Sequence, residues 1–471
     1  MKQKVKDPTI RMSGWQRFCY GMGLGGGAAV AVATGAMLVF YTNVLHIDPG
    51  IAGTVIAASK VLDGLSDLVA GRIVDRTHSR FGKARPWLLW MLIPTIICLM
   101  AAFIVPSSLP TVAQIVYVFV TYNLLSTVCY TMVSVSYNSM SSLITTNQYE
   151  RGVNGIIGMT IYSLVLLALN TGMVQICAAF GGGDPYSPVG WRFFAAIIGV
   201  VYAVCMILTF LFCKEIDVDT RVAELTQTKK KTVGTIRTVK ALLTNKYWIQ
   251  YVIALVSNTL GNTFITGAAL YYAQFILGDE NIYSTLSAAL LLSMFIGSIA
   301  TSLFIKKIGK RNTAIIGLII LAVGTLLSGI LPDTTGVAAV TLILRGFGAG
   351  FPSALGTAVL QDTLTYGKWR NGFDMVGMGN AACSFTNKVG GGLGTAVLGW
   401  ILAAGGYDSY AAVQSASAQA AIKFSFSWAP LVFVLITLVC FVFYRLDKEY
   451  ATYEKDLSEG RYGPNAMKFE E

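Results

Sequence analysis

The sequence predicts an all-α integral membrane protein of twelve transmembrane helices in two six-helix halves. Three observations carry this expectation. Hydrophobic residues make up 54% of the 471-residue chain and charged residues only 13%, against roughly 25% charged in ordinary soluble domains. The apolar residues gather in runs long enough to cross ~30 Å of hydrocarbon, which takes ~20 residues. The basic residues fall between those runs in an alternating pattern.

Taken in order, Lys2, Lys4, Lys6, Arg11 and Arg17 precede the first run, 20–44. Run 51–74 leads into Arg72, Arg76, Arg80, Lys83 and Arg85. Runs 87–105 and 111–140 follow, then Arg151, then runs 152–178 and 191–213. Residues 214–247 are the only long polar stretch between apolar blocks, and they hold eight basic residues. Run 248–276 leads to 285–305, which is followed by Lys306, Lys307, Lys310 and Arg311. Runs 313–331 and 336–360 are followed by Lys368 and Arg370. Runs 373–403 and 425–445 complete the set. Thirty of the 35 Lys and Arg residues lie in the loops on one side, while the opposite loops hold only Arg192 and Lys423. Basic loops stay cytoplasmic, so a multi-pass protein of the cell membrane with both termini cytoplasmic is expected. The parts are an N-terminal half at 1–213, a central loop at 214–247, a C-terminal half at 248–445 and a tail at 446–471.

Several classes are set aside. The +11 net charge is a topology signal, so nucleic acid is not an expected partner. Continuous runs argue against the ~10-residue alternating segments of a membrane barrel. The first run is too long for a cleavable signal. The eight cysteines sit in or beside apolar runs without metal-ligand spacing, so neither disulfides nor zinc are expected. No phosphate-binding loop of the G-x-x-x-x-G-K-[ST] kind and no His/Cys cluster occur. An enzyme, ATP hydrolysis and a resident cofactor are therefore not expected. Gly21–Gly26 fits G-x-G-x-x-G, but it opens a membrane helix without a preceding strand. Gly346/Gly350 and Gly390/Gly394 have the small-xxx-small spacing of close helix packing.

The halves echo each other. Gly82-Lys83-Ala84-Arg85 follows the second run and Gly309-Lys310-Arg311 follows the eighth. Two such halves resemble the plan of the major facilitator superfamily. A short basic turn with a helix-end acid, Asp75 beside Arg76 and Lys83, can latch two helices.

Charges inside the runs cost roughly 2.5–3.5 kcal/mol each, so they must pair, bind a ligand or face water. Lys60, Asp63 and Asp67 share one face of the second helix. Two carboxylates one turn apart suit a small cation such as Na⁺, or a proton, because like charges raise one carboxyl's pKa. An intrahelical Lys60–Asp63 pair is the alternative. Polar stripes at helical spacing run through Thr131, Ser134 and Asn138, through Asn258 and Asn262, and through Asn380, Ser384, Asn387 and Lys388. Together they suit a wet path for a polyhydroxylated solute. Arg345 is either a ligand or a salt-bridge partner.

At these residues the sequence resembles the glycoside–pentoside–hexuronide:cation symporters, the family of melibiose permease. The resemblance covers most of the chain. It is strongest at Asp63-Gly64-Leu65-Ser66-Asp67 with Ser79 to Trp87, and reappears at Tyr130-Thr131, Asp362-Thr363, Tyr366-Gly367 and Lys388. It implies a cation site at Asp63, Ser66, Asp67 and Thr131, a cavity lysine at Lys388, and Lys60 where an arginine stands in melibiose permease. The sugar positions depart. The stretch Gly25 to Ala29 lacks an acid, and Ser134, Asn138 and Gly158 replace larger or charged groups. The resemblance therefore implies cation-coupled symport of a sugar or glycoside by alternating access. The smaller side chains leave room for a larger glycoside, or for a glucuronide beside Lys388. An uncoupled facilitator, or a symporter of a non-sugar organic solute, is the alternative. The expected partners are the sugar, a monovalent cation (Na⁺ or H⁺) and the lipid bilayer, with the monomer as the simplest unit.

Overall fold

The computed structural model describes residues 12–77, 79–106, 109–144, 148–215, 235–373, 375–411 and 413–463. Among them, ten helices are long and apolar enough to cross a membrane. They are α1 (Gly14–Val44), α3 (Arg85–Phe103), α4 (Thr111–Met140), α5 (Val153–Phe180), α6 (Pro188–Phe212), α7 (Lys246–Phe275), α8 (Ile282–Ile305), α9 (Lys307–Ile330), α10 (Thr335–Asn371) and α12 (Ala416–Phe443). Two more have the length but more polarity. These are α2 (Pro49–Arg76), with Lys60, Asp63 and Asp67, and α11 (Val376–Ala404), rich in glycine and amides. These twelve make the major facilitator fold expected from the sequence.

The helices outrun the apolar runs at their polar ends, because hydrogen bonds rather than lipid contact decide where a helix stops. α1 begins at Gly14, where Ser13 and Gln16 form a reciprocal capping box. α10 continues through Lys368 and Arg370 and ends at Gly372, whose φ of +77° suits the residue after a helix end. The sequence predicts only a polar tail after 445, yet Leu446–Ser458 is a helix. Tyr453 and Tyr247 donate to Glu449 Oε2 at 2.7 and 3.1 Å, and Trp369 Nε1 donates to Asp456 Oδ2 at 3.2 Å. The Tyr453 hydroxyl holds the Glu449 carboxyl below its usual range.

The chain divides into two compact units, Met1–Thr228 with Asp408–Ala412 and Lys229–Tyr407 with Val413–Glu471. In the first, α1 packs on α5 and α6. Its glycines make that approach possible: a Cβ on Gly21 would stand 2.7 Å from Ile161 Cδ1. Tyr20, Tyr137, Tyr202 and Met206 belong to the buried cluster beside it. In the second unit, α8 and α9 pack on α10.

Each unit closes its basic turn with an acid from a later segment. In the first, Gly82 has φ +109°, and the N–H groups of Lys83, Ala84 and Arg85 donate to the Glu215 carboxylate at 2.8, 2.9 and 2.7 Å. Arg85 Nε donates to Phe210 O at 2.8 Å. In the second, Gly309 has φ +80°, Arg311 N donates to Asp447 Oδ2 at 3.1 Å, and Arg311 Nε donates to Phe441 O at 3.1 Å. The echo in the sequence is thus a repeated device, but its acid is Glu215, just past α6. The side chain of Asp75, expected from the sequence to take that part, lies outside the described residues. Hydrogen bonds to a charged group contribute ~1.5–3 kcal/mol each. Glu215→Ala should therefore lower the thermal unfolding midpoint by several degrees and Glu215→Gln by less; an unchanged midpoint for the alanine variant would contradict the capping role.

Candidate functional site

Two helices of the first unit, α2 and α4, bring a cluster of polar groups together. α2 starts where Asp48 accepts from Ile51 N at 3.1 Å ahead of Pro49, and its register puts Lys60, Asp63 and Asp67 on one face. α4 contains a π-helical turn, Leu124–Tyr130. Such wide turns recur at functional sites because they re-aim side chains. Here the turn presents two hydroxyls to one carboxylate. Thr131 Oγ1 donates to Asp63 Oδ1 at 2.8 Å, and Ser126 Oγ donates to Oδ2 at 3.2 Å. Ser66 Oγ lies 2.8 Å from Asp63 O and 3.3 Å from Thr131 Oγ1. Next to it, Asn123 Nδ2 donates to Ser59 Oγ at 2.8 Å. Asp63 is only 2% exposed and Thr131 is fully buried.

The structure therefore brings together three of the four residues named for the cation, Asp63, Ser66 and Thr131. Asp67 lies one turn further along α2, half-buried and engaged in interactions of its own. Lys60 Nζ approaches Asp63 Oδ2 at 3.7 Å, so the intrahelical pair is also present. Ser126 is an addition that sequence reasoning does not supply. It precedes Thr131 by five residues, which is π-helical spacing, and a search for steps of three and four passes over it. A buried carboxylate ringed by hydroxyl oxygens offers hard ligands suited to an alkali cation, or a proton-binding oxygen.

The residues named for the sugar are more dispersed. Ser134 is half-buried and donates to Thr131 O at 3.1 Å, while Asn138 is exposed. Gly158 does not leave room for a larger solute. A Cβ there would stand 2.6 Å from Leu24 Cδ1, so the missing side chain serves the approach of α1 to α5. In the second unit, Thr259 Oγ1 donates to Asn387 Oδ1 at 2.8 Å and ties α7 to α11. Asn258 and Lys388 are half-buried, and Asn262 and Ser384 exposed. Asn380 accepts from Gln361 Nε2 at 3.2 Å and donates to Val376 O at 2.8 Å. Lys388 has interactions of its own. Arg345, which the sequence leaves as a ligand or a salt-bridge partner, is engaged within the second unit. It is fully buried, donates through Nη2 to Phe426 O at 2.7 Å, and stacks 4.6 Å over the Phe426 ring. Phe426 sits in another π-helical turn, Phe424–Trp428, so Arg345 serves a carbonyl of that turn. Among the described residues it makes no ion pair. Of the residues expected to latch the basic turn, Arg76 is exposed at the end of α2, and Lys83 lends its backbone N–H to Glu215.

Residues 19–448 match the family described as MFS/sugar transport protein. The chain belongs to that family. Its likeness to the glycoside–pentoside–hexuronide:cation symporters is thus one of membership, and it is a multi-pass membrane transporter rather than an enzyme. The isoprimeverose transporter of Lactiplantibacillus pentosus is 31% identical over 433 residues, 92% of this chain and 88% of that one. A glucuronide carrier protein homolog of Escherichia coli (strain K12) is 26% identical over 429 residues, 89% of this chain and 90% of that one. Among solved structures, a D-xylose-proton symporter superposes with TM-score 0.63 at 14% identity, covering 91% of this chain and 96% of that one. The nucleoside transporter NupG gives 0.58 at 13% identity, over 94% and 98%. At such identities these two speak for the fold alone.

Proposed function

We propose that this sugar transporter family member is a symporter that carries a glycoside together with Na⁺ or H⁺ by alternating access, in a cell membrane with both of its termini on the cytoplasmic side. The observation that carries the reading is the buried Asp63 carboxylate, held at 2.8 and 3.2 Å by the Thr131 and Ser126 hydroxyls in a span otherwise bound for lipid. A charge kept there costs roughly 2.5–3.5 kcal/mol unless something neutralises it; Lys60 stands 3.7 Å away, beyond hydrogen-bond reach, and a transported cation completes the compensation. The names of relatives support a glycoside as the solute: one is named for isoprimeverose and another for glucuronides. Ser134 and Asn138 in the first unit, and Asn258, Asn262, Asn380, Ser384 and Lys388 in the second, are the polar groups for the glycoside. The halves 1–213 and 248–445 are the moving parts, with 214–247 and 446–471 on the cytoplasmic side.

Cation and glycoside then share a coupling free energy, so each raises the other's affinity by the same factor. The test is uptake into cells making the protein, over a panel of isoprimeverose, alkyl glucosides and glucuronides, with and without a Na⁺ gradient and a proton uncoupler. At least one glycoside should accumulate above its outside concentration, and the excess should vanish when the coupling gradient is collapsed. Equal uptake after both gradients are collapsed would leave a facilitator. No uptake of any glycoside would refute the solute class.

A further inference from the structure

We infer that Lys60 is a tethered counter-ion for Asp63, taking the cation's place in the ion-free carrier, so that cation binding and ammonium release are a single exchange. The inference rests on the cation site proposed above and adds a residue to its working. Asp63 is 2% exposed, and its two hydroxyl donors, Thr131 and Ser126, bring hydrogen bonds without charge. A positive charge stands beside it on Lys60, three residues earlier on α2.

The geometry of that pair is loose. Lys60 Nζ lies 3.7 Å from Asp63 Oδ2, beyond the 2.7–3.2 Å of an N–H···O hydrogen bond. Its other contact is the Tyr122 ring, with the centroid 5.7 Å away. The Lys60 side chain remains 23% exposed while Asp63 is almost sealed. The second unit shows what a fixed pair looks like in this same chain: Lys310 Nζ and Asp362 Oδ2 are 2.5 Å apart. The Lys60 ammonium is therefore near enough to compensate the carboxylate and held weakly enough to leave.

The donor set explains why something displaces it. Asp63, Ser66 and Thr131 converge within single hydrogen bonds of one another, so a bare cation can meet several oxygens at once. The ammonium, at the end of a flexible stem on the same helix, approaches the carboxylate at Oδ2, 3.7 Å away. Once a cation neutralises Asp63, the attraction on Lys60 falls. Lys60 thus lowers cation affinity as a competitor. Titratable groups around Asp63 include Asp67 on α2 and Tyr122 and Tyr130 on α4.

The experiment is a cation titration of the purified full-length protein in detergent. Thermal unfolding is read against NaCl and LiCl at constant ionic strength with choline chloride, and against pH. A cation that binds the folded protein alone raises stability with its concentration and reports its own affinity. For whichever cation stabilises the wild type, Lys60→Gln should lower the half-maximal concentration about tenfold, since removal of a charge at ~4 Å is worth at least that at an effective dielectric of about 20. Lys60→Arg keeps the charge and should leave the half-maximal concentration unchanged or raise it. A purely structural lysine would lower the unfolding midpoint in both variants without moving the cation titration, and that result overturns the inference. So does a Lys60→Arg variant that behaves like Lys60→Gln. Asp63→Asn separates the two readings. If cation stabilisation survives in Asp63→Asn, the cation site itself is misplaced; if it is lost there but unmoved in Lys60→Gln, only the counter-ion role fails.

Discussion

Asp63→Asn should reduce glycoside accumulation to the equilibrium level, a ratio of about one between inside and outside. Exchange of labelled for unlabelled glycoside should persist. The substitution keeps the shape of the side chain and an oxygen for the Thr131 hydroxyl at 2.8 Å; what it removes is the negative charge. An amide neither takes up a proton near neutral pH nor holds an alkali cation against water, so the driving gradient has nothing to act on. The glycoside's own route needs no such charge. Folding should survive, because the substitution lifts the cost of a charge from a site that is 2% exposed. Thr131→Ala is the graded companion. It withdraws one hydroxyl from the cluster, worth ~1 kcal/mol by the usual value of a hydrogen bond, so cation affinity should fall about fivefold with coupling intact. Concentrative uptake in Asp63→Asn at the wild-type level, at matched protein abundance in the membrane, would remove Asp63 from the coupling role.

How far the sequence reaches can be judged at particular residues. The spans are legible because lipid imposes length and apolarity, a constraint visible one residue at a time. Asp63 and Lys60 are legible for the converse reason, since charge in an apolar run needs an explanation, and Thr131 is legible from its polar stripe at helical spacing. Ser126 is not, because its place depends on a π turn in α4 that nothing in the local composition announces. Glu215 is not, because an acid at the start of a polar loop looks like any other until its carboxylate is found across the N–H groups of Lys83, Ala84 and Arg85. Gly158 misleads, since a missing side chain reads equally as cavity or as contact, and only the position of Leu24 decides. Arg345 escapes a sequence account too, because its acceptor is a backbone carbonyl in the π turn Phe424–Trp428.

Gly350→Leu should abolish or severely reduce the folded protein recovered from membranes, whereas Gly390→Ala should leave it within about 1 kcal/mol of wild type, although both glycines sit in the same small-xxx-small spacing. The difference lies in what a Cβ would meet. At Gly350 it would collide with Met294 O and Ser298 N, the backbone of α8; at Gly346, one turn earlier, with Leu290 O and Ser293 Oγ; and at Gly297 on α8, facing back, with Phe347 O. Ser298 Oγ also donates to Gly350 O at 3.2 Å. Main chains touch along this seam, and a backbone cannot turn aside as a side chain can. At Gly390 the nearest atom is Thr259 Cβ at 3.6 Å, an ordinary contact. In water a clash of this kind typically costs about 1–3 kcal/mol through strain. In lipid the penalty extends further, because the surrounding tails are as apolar as the helix and no hydrophobic force drives two helices back together. Association there depends on the close packing itself, so separating α8 from α10 by the width of a leucine forfeits the attraction along several turns at once. Thermal unfolding of the purified variants, with membrane abundance by immunoblot, distinguishes the two. A Gly350→Leu variant as stable as Gly390→Ala would mean that α10 can move off α8 without loss, and that the seam contributes little to the fold.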